Sequence, residues 1–210
     1  MVLLTCMASV VASSYPSVGE VPRTKHDAPR AVHQYNDAGV AEVKIGNYES
    51  GLKLFDLALA LDPENPDVML NIVNVYAVHW TEVQKIRGWD GKKMYDESLR
   101  LSRLAIKSTP GDFSLWMSYG MVFVYAEDRF GVKPDWSEAV KVWGQARDYA
   151  QNNKQTAQTW LWEARAHRAA KNPEKALACL QKVMEINPKS AESEAASRIM
   201  ERMKEEVEKV

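Results

Sequence analysis

The chain has 210 residues, 46% hydrophobic and 26% charged, enough for one domain with its own core or a short solenoid and unlike a disordered chain. Its 27 basic and 28 acidic residues leave a formal net charge of -1, so no overall field favours nucleic acid or an anionic membrane. Cys6 and Cys179 are the only cysteines and stand far apart, which excludes a disulfide framework and a CxxC metal or redox site. Cys179, in the apolar run Ala178-Cys179-Leu180, reads as a small core residue.

Residues 1–30 differ from the rest. A short apolar start (Val2, Leu3, Leu4, Met7, Val10, Val11) leads through small residues to a polar stretch bearing Pro16 and Pro29. The apolar run is too short to span a bilayer, so no transmembrane span is expected. Its order is that of the second half of a secretory signal, without the basic leader. Export follows if residues 1–14 are such a truncated signal; a disordered tail on a cytoplasmic protein is the other reading.

From residue 31 onward the pattern is helical. Tyr35, Ala38, Gly39 and Val43 share one face; Gly46-Asn47 is a turn; and Tyr48, Leu52, Phe55 and Leu59 form a second helix closed by Asp62-Pro63. A third helix opens on Pro66, carries Met69, Ile72, Val73 and Tyr76 inward, and is expected to continue past His79 to Ile86. Gly88-Trp89-Asp90-Gly91 breaks it. A fourth helix runs from Met94 to Thr109-Pro110-Gly111, and a fifth, capped by Asp112, holds Trp116, Tyr119, Gly120 and Phe123 and ends near Glu127. A sixth follows Asp135, with Ala139, Val140, Trp143 and Ala146 on its buried side. The seventh bears Trp160, Ala164 and His167. The eighth (Ala176, Leu177, Leu180, Val183, Ile186) follows Lys171-Asn172-Pro173 and closes at Asn187-Pro188, echoing the second helix. A last amphipathic helix, 190–210, sets Ile199, Met200, Met203 and Val207 against Glu, Arg and Lys.

The echo resembles the tetratricopeptide repeat, a helix-turn-helix unit of about 34 residues with Trp, Leu-Gly and Tyr in its first helix and Ala, Phe, Ala and Pro in its second. Tyr35, Ala38-Gly39, Tyr48, Phe55, Ala58 and Pro63 occupy the motif in a first repeat, with Gly51 for the usual Ala and Glu42 for the usual aromatic. Ile72, Tyr76, Tyr95, Ala105 and Pro110 fit a second. Trp116, Tyr119-Gly120, Phe123, Ala139, Trp143 and Ala146 fit a third, which lacks the closing proline. Trp160, Ala164, His167, Ala176, Leu180, Val183 and Pro188 fit a fourth, with Lys171 where Gly is usual. The resemblance implies an all-α, right-handed solenoid of about four hairpins over residues 31–188, with the 190–210 helix as a solvating cap. Small residues would sit where paired helices approach most closely, so a large side chain at Gly120 should cost about 1–3 kcal/mol by overpacking. From Pro63 to Pro110 is 47 residues, an excess of about 13 over one repeat. The third repeat is also long, and the extra length lies between the two helices of each, around 80–92 in the second repeat and 127–134 in the third.

No His-Glu-x-x-His, Gly-x-Ser-x-Gly or phosphate-binding glycine loop occurs, and the four histidines are scattered, so no catalytic constellation, metal site or cofactor is expected. The resemblance instead implies a non-catalytic scaffold. In that family the inner faces of the first helices line a concave groove. Carried onto this chain, that face presents Asn36 and Val40, then Leu70 and Asn74, then Met117, Met121 and Tyr125, and finally Leu161, Arg165 and Arg168. An extended or helical peptide with an apolar core and an acidic end would suit it. Members that clamp the acidic tails of heat-shock chaperones use a Lys/Asn/Arg set; here Asn71 matches, but Asn36, Val40, Ser114 and Ser118 replace the rest, so that clamp is not expected. The alternative reading is a structural subunit that self-associates, or joins a larger assembly, through its last helix.

Overall fold

Caps set most helix boundaries. The computed structural model describes residues 28–208, so the signal-like readings of residues 1–14, Cys6 and the side chain of Val207 lie outside the described residues. Ten helices are present among the described residues: α1 (Ala28–Lys44), α2 (Tyr48–Leu61), α3 (Pro66–Val78), α4 (Trp80–Arg87), α5 (Gly91–Ser108), α6 (Phe113–Phe130), α7 (Trp136–Asp148), α8 (Asn153–Ala169), α9 (Pro173–Ile186) and α10 (Ala191–Glu208). Side-chain oxygens of Asn65, Asp90, Asp112, Asp135 and Asn152 accept backbone N–H groups of the first turns of α3, α5, α6, α7 and α8. Gly131, left-handed at φ 65°, closes α6, one turn beyond the expected end near Glu127, and its N–H bonds to the Glu127 carbonyl. None of these helices is long and apolar enough to cross a membrane.

Neighbouring hairpins pack in sequence as α1/α2, α3/α5, α6/α7 and α8/α9, with α10 against α9 and α8, giving the right-handed α-solenoid. The close approaches are where the repeat requires small residues. A Cβ at Gly39 would stand 2.6 Å from the Phe55 ring, and Ala139, Ala164 and Ala176 are buried. The first and fourth repeats make the same turn. In one, the Asn47 N–H bonds to the Glu42 carbonyl at 2.9 Å; in the other, the Asn172 N–H bonds to the His167 carbonyl at 2.9 Å. Gly46 supplies the left-handed residue in the first, at φ 87°, and Lys171 in the fourth, at φ 60°.

The expectation of one helix from Pro66 past His79 is corrected. The chain breaks at His79 (φ −116°, ψ 37°) and α4 starts anew. The break brings α4 onto α2. His79 packs on Tyr48 with ring centroids 4.2 Å apart, Val83 is fully buried, and Arg87 grips Asp56 through two hydrogen bonds of 2.7 and 2.8 Å. A straight continuation would carry Val83 away from that surface. Likewise α5 begins at Gly91 rather than Met94, because Asp90 accepts the Lys93 N–H at 2.7 Å.

The hydrophobic core falls into two clusters. One runs from Val32 to Ala146 through α1–α7 and reaches Ala166 of α8; the other joins Ala157, Leu161, Leu180, Val183, Ala196 and Met203 across α8, α9 and α10. The apolar face of α10 thus packs within the chain at Met203, which is 7% exposed.

Candidate binding groove

The inner helices set their grooved faces at i, i+4 spacing, which stacks side chains in columns. Leu70 and Asn74 form such a column on α3, and Ser114–Ser118 and Met117–Met121 form two on α6. With Asn152, Lys154, Gln155 and Gln158 at the start of α8, these residues line an open depression of about 540 Å³. A second depression, of about 220 Å³, lies alongside and shares Asn74; its wall is Val40, Val43, Val75, Val78 and His79, with Asn71 at the rim. Asn36 joins it through Asn71, whose Nδ2 donates to the Asn36 Oδ1 at 2.9 Å. The Ser118 hydroxyl donates to the Asn74 Oδ1 at 3.5 Å, which fixes Asn74 between the two depressions.

This chemistry differs from the sequence expectation at its far end. The floor is apolar, with two flexible thioethers, and the rim is mostly uncharged amide and hydroxyl, Lys154 being the cation in the larger depression. The predicted basic end lies elsewhere. Leu161 is a core residue, 7% exposed, in the α8–α10 cluster. Arg168 is paired with Glu206 of α10 at 2.5 Å. Arg165 lies over the Trp162 ring, 4.3 Å from its centroid, and burial holds its guanidinium below the usual range. Tyr125 takes the Arg129 guanidinium over its ring at 5.5 Å and is not part of the depression's lining. The cap is part of the physical reason: α10 packs on α9 and α8, taking Leu161 into its cluster and Arg168 into an ion pair, while Arg165 stays exposed.

Two polar clusters support the walls. Arg103 of α5, Tyr119 of α6 and Glu138 of α7 bond mutually: Arg103 Nε donates to Tyr119 Oη at 2.8 Å, Arg103 Nη2 to Glu138 Oε1 at 2.8 Å, and Tyr119 Oη to the same oxygen at 2.5 Å. Burial raises the Glu138 carboxyl, but these bonds outweigh it and hold the group below its ordinary range. Burial, reinforced by Glu138, pushes Tyr119 up. The second cluster is at the α7/α8 joint. Arg147 Nη1 donates to Glu163 Oε2 at 2.5 Å, its guanidinium sits 3.5 Å from the Trp160 centroid, and Trp143 stacks on Trp162 at 5.9 Å. Glu163 and His167 are buried there beside Cys179. Burial lowers His167, with Glu163 opposing, and raises the Cys179 thiol to about 11. This grouping was missed in sequence, where Glu163 and His167 are legible as an i, i+4 pair and nothing marks Cys179 as their neighbour.

The tetratricopeptide repeat family matches at residues 157–190, the stretch spanning most of α8 and all of α9. Residues 157–190 are therefore a tetratricopeptide repeat within this chain. Its repeats superpose on solved structures of MamA. MamA of AMB-1 is 22% identical, with a TM-score of 0.56 over 76% of this chain and 75% of that one. MamA of MSR-1 is 23% identical, with a TM-score of 0.55 over 76% and 79%. MamA from Desulfovibrio magneticus RS-1, from residue 41 to its end, is 13% identical, with a TM-score of 0.58 over 83% and 94%. At these identities the likeness is one of fold. No curated protein matches the chain.

Proposed function

We propose that this tetratricopeptide repeat protein is a non-catalytic scaffold that takes an extended or helical peptide segment of a partner protein in the α3/α6/α8 depression. The observation that carries this reading is the pairing of Met117 and Met121, at the floor, with amide side chains of Asn74, Gln155 and Gln158 around them. Thioethers adapt to apolar side chains of varied shape, while amides match the donors and acceptors of a peptide backbone. The chemistry favours an apolar, weakly charged segment, because the lining carries one cation, Lys154, and Arg168 is paired with Glu206. A photo-crosslinking residue at Met117 should capture a partner peptide. Gln155→Ala with Gln158→Ala, removing the amides at the other wall, should weaken that capture at least tenfold while helix content stays unchanged. Equal capture by the double variant, or equal capture from a crosslinker at Lys53 on α2, would place binding outside the groove.

A further inference from the structure

The fourth repeat departs from its own scaffold where the scaffold is most buried. In the pattern Trp-x-x-Leu-Gly-x-x-Tyr, Trp160 and Ala164 keep the first and small positions, but Glu163 stands at the Leu and His167 at the Tyr. Leu and Tyr would serve packing alone; a carboxylate and an imidazole at 8% and 9% exposure do not. Across the hairpin, α9 brings Cys179 to them, so that one oxygen, one nitrogen and one sulfur lie within 4.8 Å of one another.

We propose that Glu163, His167 and Cys179 form a binding site for a single zinc-like divalent transition metal that staples α8 to α9. Imidazole, thiolate and carboxylate together are a zinc ligand set, and sulfur disfavours magnesium and calcium. The spacing is close to that of a coordination shell. Glu163 Oε1 and His167 Nε2 are 3.8 Å apart, too far to hydrogen-bond, whereas two tetrahedral ligands of one zinc stand roughly 3.4 Å apart. The other ring nitrogen of His167, Nδ1, is buried without a partner. Arg147 holds the other oxygen of Glu163, which orients the carboxylate as an outer-shell partner does. Binding replaces the thiol proton with a metal–sulfur bond and releases that proton to solvent, so uptake strengthens as pH rises. Three protein donors leave a fourth position for water.

The test uses the full chain carrying Cys6→Ser, so that Cys179 is the one thiol, stripped with chelator and titrated with cobalt(II) as a coloured stand-in. A thiolate-to-cobalt charge-transfer band saturating at one equivalent, bleached by zinc, is expected, together with a zinc-dependent rise in thermal midpoint. Cys179→Ala should abolish the band, and Glu163→Gln or His167→Gln should weaken metal affinity about 10- to 100-fold. No band at one equivalent in the Cys6→Ser protein overturns the proposal whatever the variants do. A band that survives Cys179→Ala, or that does not respond to zinc, also overturns it by placing the metal elsewhere.

Discussion

Gly120→Ala adds a single methyl group where α6 meets α7 at close range. The new Cβ would stand 2.2 Å from Cη2 of Trp143, 2.4 Å from Cζ2 and 2.5 Å from Cζ3. Carbon atoms in contact sit about 3.5–4.0 Å apart, so α6 and the indole must separate by more than an ångström. The indole has little room to give: Trp143 is fully buried and stacked on Trp162. Overpacking costs about 1–3 kcal/mol, and a contact this short belongs at the upper end. Replacing a helical glycine returns about 0.5–1 kcal/mol of backbone entropy. The net expectation is a loss of about 2 kcal/mol, or roughly 4–8 °C in Tm for a chain of this size. Urea unfolding followed by far-ultraviolet circular dichroism reads it, and Trp143→Leu supplies the second arm of a cycle. With the indole gone, Gly120→Ala should cost close to nothing. A Gly120→Ala protein as stable as the parent, or an equal cost in both backgrounds, would refute the packing argument and with it the cost expected for any larger side chain there.

Gly144, in α7, is the contrasting case: a Cβ there meets only Arg147 Nη2 at 3.8 Å, so Gly144→Ala should gain about 0.5–1 kcal/mol in the same urea titration. Lys171→Gly should stabilise the chain by about 1 kcal/mol, because a side chain held at φ 60° bears the left-handed penalty that Gly46 avoids at the equivalent turn; a lower unfolding midpoint would contradict this. Glu138 is held below its ordinary value of 4.5, so its contribution is fully present above that pH and is lost as pH falls through the lower folded value. Unfolding midpoints of Glu138→Gln measured across the acid range should therefore fall less steeply than the parent's, and parallel acid limbs would remove the Arg103–Tyr119–Glu138 cluster as a source of stability.

What the sequence made legible were features written in neighbouring residues. Asp62-Pro63, Gly46-Asn47, Asn172-Pro173 and the cap at Asp112 are local signals, and the hairpins they bound stand where expected. The break at His79 carries no glycine or proline. It exists because α2 offers Tyr48 and Asp56 as partners for His79 and Arg87, a preference no local pattern encodes. The groove was legible in its middle, where Leu70, Asn74, Met117 and Met121 lie together, and not at its end. Helical periodicity places Leu161, Arg165 and Arg168 near one face of α8 but cannot say that α10 takes Leu161 into its cluster and pairs Glu206 with Arg168, since the cap's own amphipathic pattern reads equally well as a solvent-facing or partner-facing helix. The Glu163–His167–Cys179 grouping was invisible for a related reason: it depends on the register of α9 against α8.

The long third repeat and the groove are connected through packing. The inner helices α1 and α3, and α3 and α6, pack directly on one another, whereas α8 joins the array chiefly through α7. Space therefore opens between α6 and the first turn of α8, and the larger depression lies there, at the point where the first core cluster ends and the second begins. In a solenoid, stability is approximately a sum over repeats and the interfaces between them, so an occupant that touches both sides of one joint strengthens that joint. The direct ties across this joint include the Arg147–Glu163 ion pair and the Trp143–Trp162 stack. A peptide touching Met117 and Met121 on one side and Gln155 and Gln158 on the other would add contacts to α6 and α8 at once. Binding of such a peptide and docking of the terminal repeat would be thermodynamically linked, each favouring the other by the same free energy.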